Sequence, residues 1–157
     1  MPVPALTIHG LMPAGIYTCT LGDACAALCW NARRRQIWDG LARFLAKMAQ
    51  RGLTSPIYLD GSFVTDKERP GDVDLVLDLV GASADELREG LMLFAEHDAI
   101  KQEFEVDFWL NLPGHGQSDF SAFFQYLRAN EAGQRNVRVD VRKGILRIEQ
   151  WLDGLNR

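Results

Sequence analysis

Apolar positions recur with helical spacing in the first third of the chain. Asn31 is a favourable N-cap, and the residues after it place apolar side chains at positions 37, 41, 44, 45 and 48, as on one face of a helix. Gly52 is typical of a residue that ends a helix. The pattern therefore predicts a helix over residues 32–51. The region before it contains three prolines and predicts an extended N-terminal arm over residues 1–30, with a short helix at 21–28.

Short apolar runs and alternating segments follow, and they predict strands and further helices. The strand predictions cover residues 56–59, 73–80 and 104–110, with short β segments at 137–141 and 144–150. The helix predictions cover residues 83–96, where Ser83 and Glu86 form a capping-box pattern, and 118–130. Because strands and helices alternate, we expect one domain of α/β (α+β) class with a short mixed sheet flanked by helices.

The charge and composition of the chain argue against nucleic acid and membranes as partners. The net charge is −4, and the hydrophobic content of 47% is ordinary for a globular protein. Broad binding to duplex nucleic acid requires a basic face, so extended nucleic-acid binding is not expected. No apolar run approaches the ~20 residues of a membrane span, and no signal-peptide pattern opens the chain. We therefore expect a cytoplasmic protein with no membrane partner.

The clearest chemical signal is the sequence Asp72-Val73-Asp74 at the start of a strongly apolar strand. Side chains alternate along a strand, so the two aspartates share one face and lie about 7 Å apart along it. Two carboxylates at the mouth of a buried strand need water or a cation to offset their desolvation. Mg²⁺ (or Mn²⁺), which binds one or two carboxylates together with substrate phosphates, fits this pattern.

A third acidic position occurs in the next predicted strand. Residues 104–110 alternate, with Glu105 and Asp107 on the polar face and Val106 on the apolar one. If this strand neighbours the one that follows Asp72, Asp107 stands beside the first two aspartates and completes a set of three metal ligands. Glu105 is the alternative third ligand, because it faces the same way as Asp107.

A Gly61-Ser62 pair follows the strand predicted at 56–59 and precedes the aspartates. Glycine lets the backbone approach a phosphate closely, and the N–H groups of the turn and the Ser62 hydroxyl can donate hydrogen bonds to it. Lys143 lies just before the last predicted strand and is a second candidate for binding a triphosphate.

Other charged residues have open interpretations. The three arginines at positions 33–35 begin the long helix, and they indicate either a solvated basic face or a contact with a nucleotide phosphate or an acidic partner. Asp78 shares the face of Asp72 and Asp74 but lies deeper in the strand, so we expect it to be structural or paired.

The combined motif resembles the DNA polymerase β-like nucleotidyltransferase superfamily. Its signature is a Gly-Ser pair after a strand, a loop of about ten residues, an Asp-apolar-Asp segment, and a third acidic residue on a later strand. Here these are Gly61-Ser62, Asp72 and Asp74, and Asp107. The resemblance implies transfer of a nucleoside monophosphate from an NTP to a hydroxyl group, with the three aspartates as metal ligands and Asp107 as general base or ligand of the catalytic metal. Asp60 departs from the pattern, because an uncharged residue is more usual before the glycine.

A closer resemblance covers nearly the whole chain. The segments PAGIYTCTL, WNARRRQIWDGL, YLDGSFVTDKERPGDVDLVL and VRKGILRIE look like a small bacterial family of uncharacterised nucleotidyltransferase-like proteins. Relatives of the minimal nucleotidyltransferase type often occur in toxin–antitoxin pairs, so the resemblance implies a protein partner, which is a toxin or another acceptor. The alternative to an enzyme is a non-catalytic protein of the same fold that acts as an antitoxin or regulatory partner.

Overall fold

A computed structural model of the chain describes residues 3–114, 128–138 and 140–155. Within these ranges five strands form one mixed sheet in the order β1-β5-β2-β3-β4. The strands are β1 (Ile16–Thr18), β2 (Ile57–Asp60), β3 (Val73–Asp78), β4 (Val106–Asn111) and β5 (Ile145–Ile148). The β1–β5 and β3–β4 pairs are parallel, whereas β2 runs antiparallel to both of its neighbours, β3 and β5.

Helices occupy most of the connections between the strands. They are α1 (Leu21–Leu28), α2 (Ala32–Gln50), α3 (Ala84–Phe94), α4 (His97–Phe104), α5 (Ala129–Gln134) and α6 (Trp151–Leu155). Side chains of Thr20, Asn31 and Ser83 accept hydrogen bonds from the first turns of α1, α2 and α3, as N-caps do. None of the helices in the described ranges is long and apolar enough to cross a membrane.

The main apolar core lies on one face of the sheet. Leu75 of β3 and Phe108 of β4 are register partners, and both are buried in the cluster that includes residues of α2. The ring of Phe44 from α2 meets the ring of Phe108 edge-on, with 5.1 Å between the centroids. Because side chains alternate along each strand, Asp74 and Asp107 are directed to the opposite face. The core therefore determines on which face the acidic residues lie.

The predicted class of a mixed sheet flanked by helices is confirmed, and so are the helix after Asn31 and the short helix at 21–28. The N-terminal arm is more ordered than predicted, because β1 pairs with β5 at one edge of the sheet. The β segment predicted at 137–141 is wrong, since residues 137, 138, 140 and 141 belong to no strand. The helix predicted at 118–130 falls mainly on residues outside the described ranges.

Helix α4 was not predicted from the sequence. It covers residues 97–103, which the pattern assigned to no element, and Phe104, the first residue of the strand predicted at 104–110. Ile100 and Phe104 are buried one turn apart on α4, and Phe104 packs against Phe44 with 5.5 Å between ring centroids. Tertiary packing thus holds Phe104 in a helix, and the strand begins only at Val106.

Arg34, near the start of α2, is completely buried and holds the loop that follows β2. Its guanidinium donates hydrogen bonds to the carbonyl oxygens of Leu28 at 3.0 Å, Phe63 at 2.7 Å, Thr65 at 2.6 Å and Lys67 at 2.8 Å. The side chain therefore joins α1, α2 and the loop after β2. Neither a solvated face nor a phosphate contact describes Arg34, so both interpretations from the sequence are wrong for it.

We expect Arg34→Lys to destabilise the protein by about 3 kcal/mol, because an ammonium group cannot replace the hydrogen bonds to four separate carbonyl groups. Urea unfolding of the variant and the wild type measures this difference. Arg35→Lys is the matched control, since Arg35 is exposed and makes one long hydrogen bond of 3.5 Å to Cys29. Equal stability of the two variants would contradict the role assigned to Arg34.

Candidate metal centre

The parallel pairing of β3 and β4 brings the predicted acidic ligands together. Asp74 and Asp107 are direct register partners, and Asp72 immediately precedes β3. One carboxylate oxygen from each of the three residues lies within 4.8 Å of the others. The expectation that the second acidic strand neighbours the first is therefore confirmed, and the three aspartates form one cluster.

The spacing and chemistry of the three carboxylates are compatible with a divalent cation. Opposite oxygen ligands of Mg²⁺ are about 4.2 Å apart, twice the ligand distance of about 2.1 Å, so small side-chain rotations suffice to place the three oxygens around one ion. The side chains of Asp72 and Asp107 are each 25% exposed. An ion held here would therefore keep coordination positions open to water or to substrate oxygens, and carboxylate oxygens suit Mg²⁺ and Mn²⁺.

Ionisation of the Asp74 carboxyl group is unfavourable in this arrangement. Its pKa is raised to about 7, mainly by burial and further by the carboxylates of Asp60, Asp72 and Asp107. A bound cation would favour the ionised carboxylate and so offset both effects. The site therefore has a physical reason to take up positive charge.

Gly61 lies directly against Asp74 and must be a glycine for two reasons. Its φ angle of +85° is in the region that side chains disfavour, and a Cβ atom would lie 2.9 Å from Cγ and Oδ2 of Asp74. Ser62 follows and begins a short 3-10 helix, Ser62–Val64. The structure thus places the Gly-Ser pair beside the acidic cluster, while its contact with a phosphate stays a prediction.

A buried ion pair between Asp60 and Lys143 adjoins the cluster. Lys143 Nζ lies 3.3 Å from Asp60 Oδ1, and the two residues are 8% and 2% exposed. Asp60 is the register partner of Asp74 across β2 and β3. Lys143 therefore balances the extra negative charge of Asp60, and it also lowers the pKa of Asp74. Binding of a triphosphate by Lys143 stays a prediction.

Glu105 lies outside the cluster, and its assignment as alternative ligand is wrong. Helix α4 continues through Phe104, and Glu105 adopts the left-handed conformation with φ of 58° at its C-terminus. It therefore does not take part in the alternation of β4. Its carboxylate instead pairs with Arg33, which also donates hydrogen bonds to the carbonyl oxygens of Pro70 and Gly71.

Asp78 is paired, as expected from its position deeper in β3. Its carboxylate accepts hydrogen bonds from Arg147 Nη1 and Asn111 Nδ2, both at 3.0 Å. It thus belongs to a separate polar network on the same face of the sheet, and it makes no contribution to the cluster of three aspartates.

Lys101 is the functional candidate that the sequence pattern missed. Its Nζ lies 3.4 Å from Asp72 Oδ2 and 4.0 Å from Asp107 Oδ2, and these two carboxylates raise its pKa. The side chain projects from α4, which was not predicted. The helical spacing of the buried residues Ile100 and Phe104 was the signal that could have placed Lys101 near the start of β4.

We expect Gly61→Ala to weaken binding of Mn²⁺ to the cluster by roughly tenfold, because the added methyl group displaces the Asp74 carboxylate. Isothermal titration calorimetry with Mn²⁺ measures the change. Gly71→Ala is the matched control, since a Cβ atom at Gly71 meets no atom within 4 Å and its φ angle is not in the positive range. Equal Mn²⁺ affinity in the two variants would show that the space beside Asp74 is not needed.

The pKa of Asp74 predicts a pH-dependent stability in the absence of metal. Its pKa in the native state, about 7, exceeds the ordinary value of 3.8, so the native state binds the proton more tightly than the unfolded chain does. This contribution to stability is present at low pH and is lost as the pH rises toward 7. The asparagine side chain of the Asp74→Asn variant does not ionise, so the variant does not lose this stability as the pH rises.

We therefore expect Asp74→Asn to gain stability relative to the wild type as the pH rises from about 4 to about 7, by at most about 1.4 kcal/mol per pH unit. Above that range the difference becomes constant. Urea unfolding in the presence of chelator, repeated at several pH values, gives the difference directly. A difference that is independent of pH would contradict the assignment.

Comparison with known proteins places the chain in a family without assigning a reaction to it. No curated protein and no solved structure matches the chain. One protein family matches residues 4–149, nearly the whole length, and it is described as a family of unknown function, DUF6932. By this match, the chain that carries the Asp72, Asp74 and Asp107 cluster belongs to the family of unknown function DUF6932.

Proposed function

We propose that this protein is a metal-dependent nucleotidyltransferase, which moves a nucleoside monophosphate group from an NTP to a hydroxyl of a protein, a small molecule or an RNA end. The observation that supports the proposal is the convergence of Asp72, Asp74 and Asp107 within 4.8 Å, beside the glycine of a Gly-Ser turn. The same motif set supports the resemblance to nucleotidyltransferases of the DNA polymerase β-like type.

Each part of the site has a task in this reaction. Bound Mg²⁺ would neutralise the phosphates and stabilise the leaving pyrophosphate. Asp72 and Asp74 would hold the metal, and Asp107 would accept the proton of the acceptor hydroxyl or act as a further ligand. The hydroxyl oxygen forms a bond to the α-phosphorus, and the bond from that phosphorus to the bridging oxygen breaks. Pyrophosphate leaves with the electron pair.

The turn at Gly61 contributes close approach to the substrate. Because Gly61 has no side chain, the backbone after β2 can lie against a phosphate without displacing Asp74. The hydroxyl of Ser62, at the start of the short 3-10 helix, is the donor proposed for that phosphate. The buried pair of Asp60 and Lys143 keeps the charge of this end of β2 balanced.

A second candidate function is a non-catalytic binding protein that acts as an antitoxin or regulatory partner. The observation that favours it is the ammonium group of Lys101, which already supplies positive charge to Asp72 and Asp107. In such a protein the acidic cluster is a structural ion pair and needs no metal. The two functions therefore differ in their dependence on a divalent cation.

Binding of nucleotide separates these functions. We expect the wild type to bind a non-hydrolysable analogue of at least one of the four NTPs in the presence of Mg²⁺, and to lose this binding with chelator. Asp72→Asn and Asp74→Asn should each weaken it by roughly 100-fold, because each substitution removes a charged ligand of the metal. Isothermal titration calorimetry gives the affinities.

Asp39→Asn is the matched control for the loss of one negative charge, since Asp39 is exposed on α2. If the folded wild type binds none of the four analogues, the enzyme proposal fails. Capture of the same protein partner by the wild type and by Asp74→Asn, without metal, would then support the binding function. If an analogue binds, release of pyrophosphate in the presence of candidate acceptors tests turnover.

A further inference from the structure

Lys101 is the cation closest to the three predicted metal ligands among the described residues. Its ammonium group lies 3.4 Å from Asp72 Oδ2 and 4.0 Å from Asp107 Oδ2. Its side chain is 54% exposed, so it is held by these charges and not by packing. The four-carbon side chain of lysine is flexible and can reorient at little cost when its partners change.

A divalent ion and this position of Lys101 compete for the same carboxylates. An ion bound to Asp72 and Asp107 at about 2.1 Å would lie only a few ångströms from the ammonium group, and the two positive charges would repel each other. Glu105 at the end of α4 is already paired with Arg33, so it is not a free alternative partner. Asp98, three residues earlier on α4, is 93% exposed and pairs with His97, so it would hold Lys101 in open solvent. A substrate phosphate bound at the metal would offer the ammonium group a new anion beside the site it already occupies.

Lys143 does not have this freedom, although it is the other lysine close to the cluster in the described ranges. It is 8% exposed and its ammonium group lies 3.3 Å from the buried carboxylate of Asp60. If Lys143 moved away, Asp60 would remain as an unpaired charge inside the protein, which is costly. The exposed Lys101 can change partners without leaving a buried charge behind.

On the basis of the proposed function, we propose that Lys101 is a phosphate-binding residue that neutralises Asp72 and Asp107 in the metal-free protein and transfers to a substrate phosphate when metal binds. The residue thus opposes binding of the metal alone and favours binding of metal together with substrate. Its two effects have opposite signs, and a purely structural ion pair would not produce both.

The test uses Lys101→Gln and two probes that do not depend on the identity of the base. The first probe is Mn²⁺ alone, and we expect the variant to bind it about tenfold more tightly than the wild type, because the competing charge is removed. The second is inorganic tripolyphosphate in saturating Mg²⁺, and we expect the variant to bind it about tenfold more weakly. Isothermal titration calorimetry measures both affinities.

Two further variants complete the design. Lys47→Gln removes a positive charge from α2, where Lys47 pairs with Glu96 at 3.5 Å, and it should change neither affinity. Lys101→Arg keeps the positive charge and should restore tripolyphosphate binding. Circular dichroism of each variant confirms that it is folded before the affinities are compared.

The outcomes separate this inference from the proposed function. If the wild type binds Mn²⁺ and loses it in Asp74→Asn, while Lys101→Gln leaves both affinities unchanged, the role of Lys101 is overturned and the metal site stands. Weaker Mn²⁺ binding by Lys101→Gln also overturns the role. If neither the wild type nor Lys101→Gln binds Mn²⁺, the metal site and the role of Lys101 both fail.

Discussion

The clustering of like charges on one face of the sheet is the constraint on which the rest of the site depends. Asp72, Asp74 and Asp107 cannot move apart, because the opposite faces of β3 and β4 are locked in the apolar core. Asp60 adds a fourth carboxylate on the neighbouring strand. Negative charge so concentrated and partly buried must be balanced by cations, and this requirement explains the positions of both nearby lysines.

The two lysines balance the charge in different ways. Lys143 is buried against Asp60 and contributes a permanent charge that the native structure cannot release without cost. Lys101 is half exposed on α4, and in our proposal a divalent cation displaces its charge from Asp72 and Asp107. The charge beside Asp60 is therefore fixed by a buried ion pair, whereas the charge beside Asp72 and Asp107 lies on an exposed side chain. The proposed metal and phosphate chemistry depends on this difference between the two lysines.

The backbone around the site is held from α2. Arg34 binds carbonyl groups of the loop after β2, and Arg33 binds those of Pro70 and Gly71 just before Asp72. Both ends of the segment between β2 and β3 are therefore attached to the start of one helix. This attachment keeps Gly61 against Asp74, where there is no room for a side chain. Arg33 and Arg34, for which the sequence suggested a surface contact, instead hold the backbone on either side of the loop between β2 and β3.

Local patterns in the sequence were sufficient to predict the features that depend on near neighbours. The cap at Asn31, the alternation that puts Asp72 and Asp74 on one face, and the turn at Gly61 each follow from a few adjacent residues. The mixed sheet with flanking helices followed from the order of these elements. The pattern could not assign α4, because a short helix gains its stability from packing of Ile100 and Phe104 against the core.

The tertiary structure alone decided which distant residues meet. Three contacts at the site join parts of the chain that are far apart in sequence. They are the pairing of Asp74 with Asp107, the ion pair of Asp60 and Lys143, and the contact of Lys101 with Asp72. Such contacts depend on how the apolar faces of several elements fit together, and no short segment encodes that fit. The sequence by itself therefore determined the chemical groups and the face that Asp72 and Asp74 share. Packing of the core decided where α4 ends, and with it the place of Glu105 and the distances between groups on different elements.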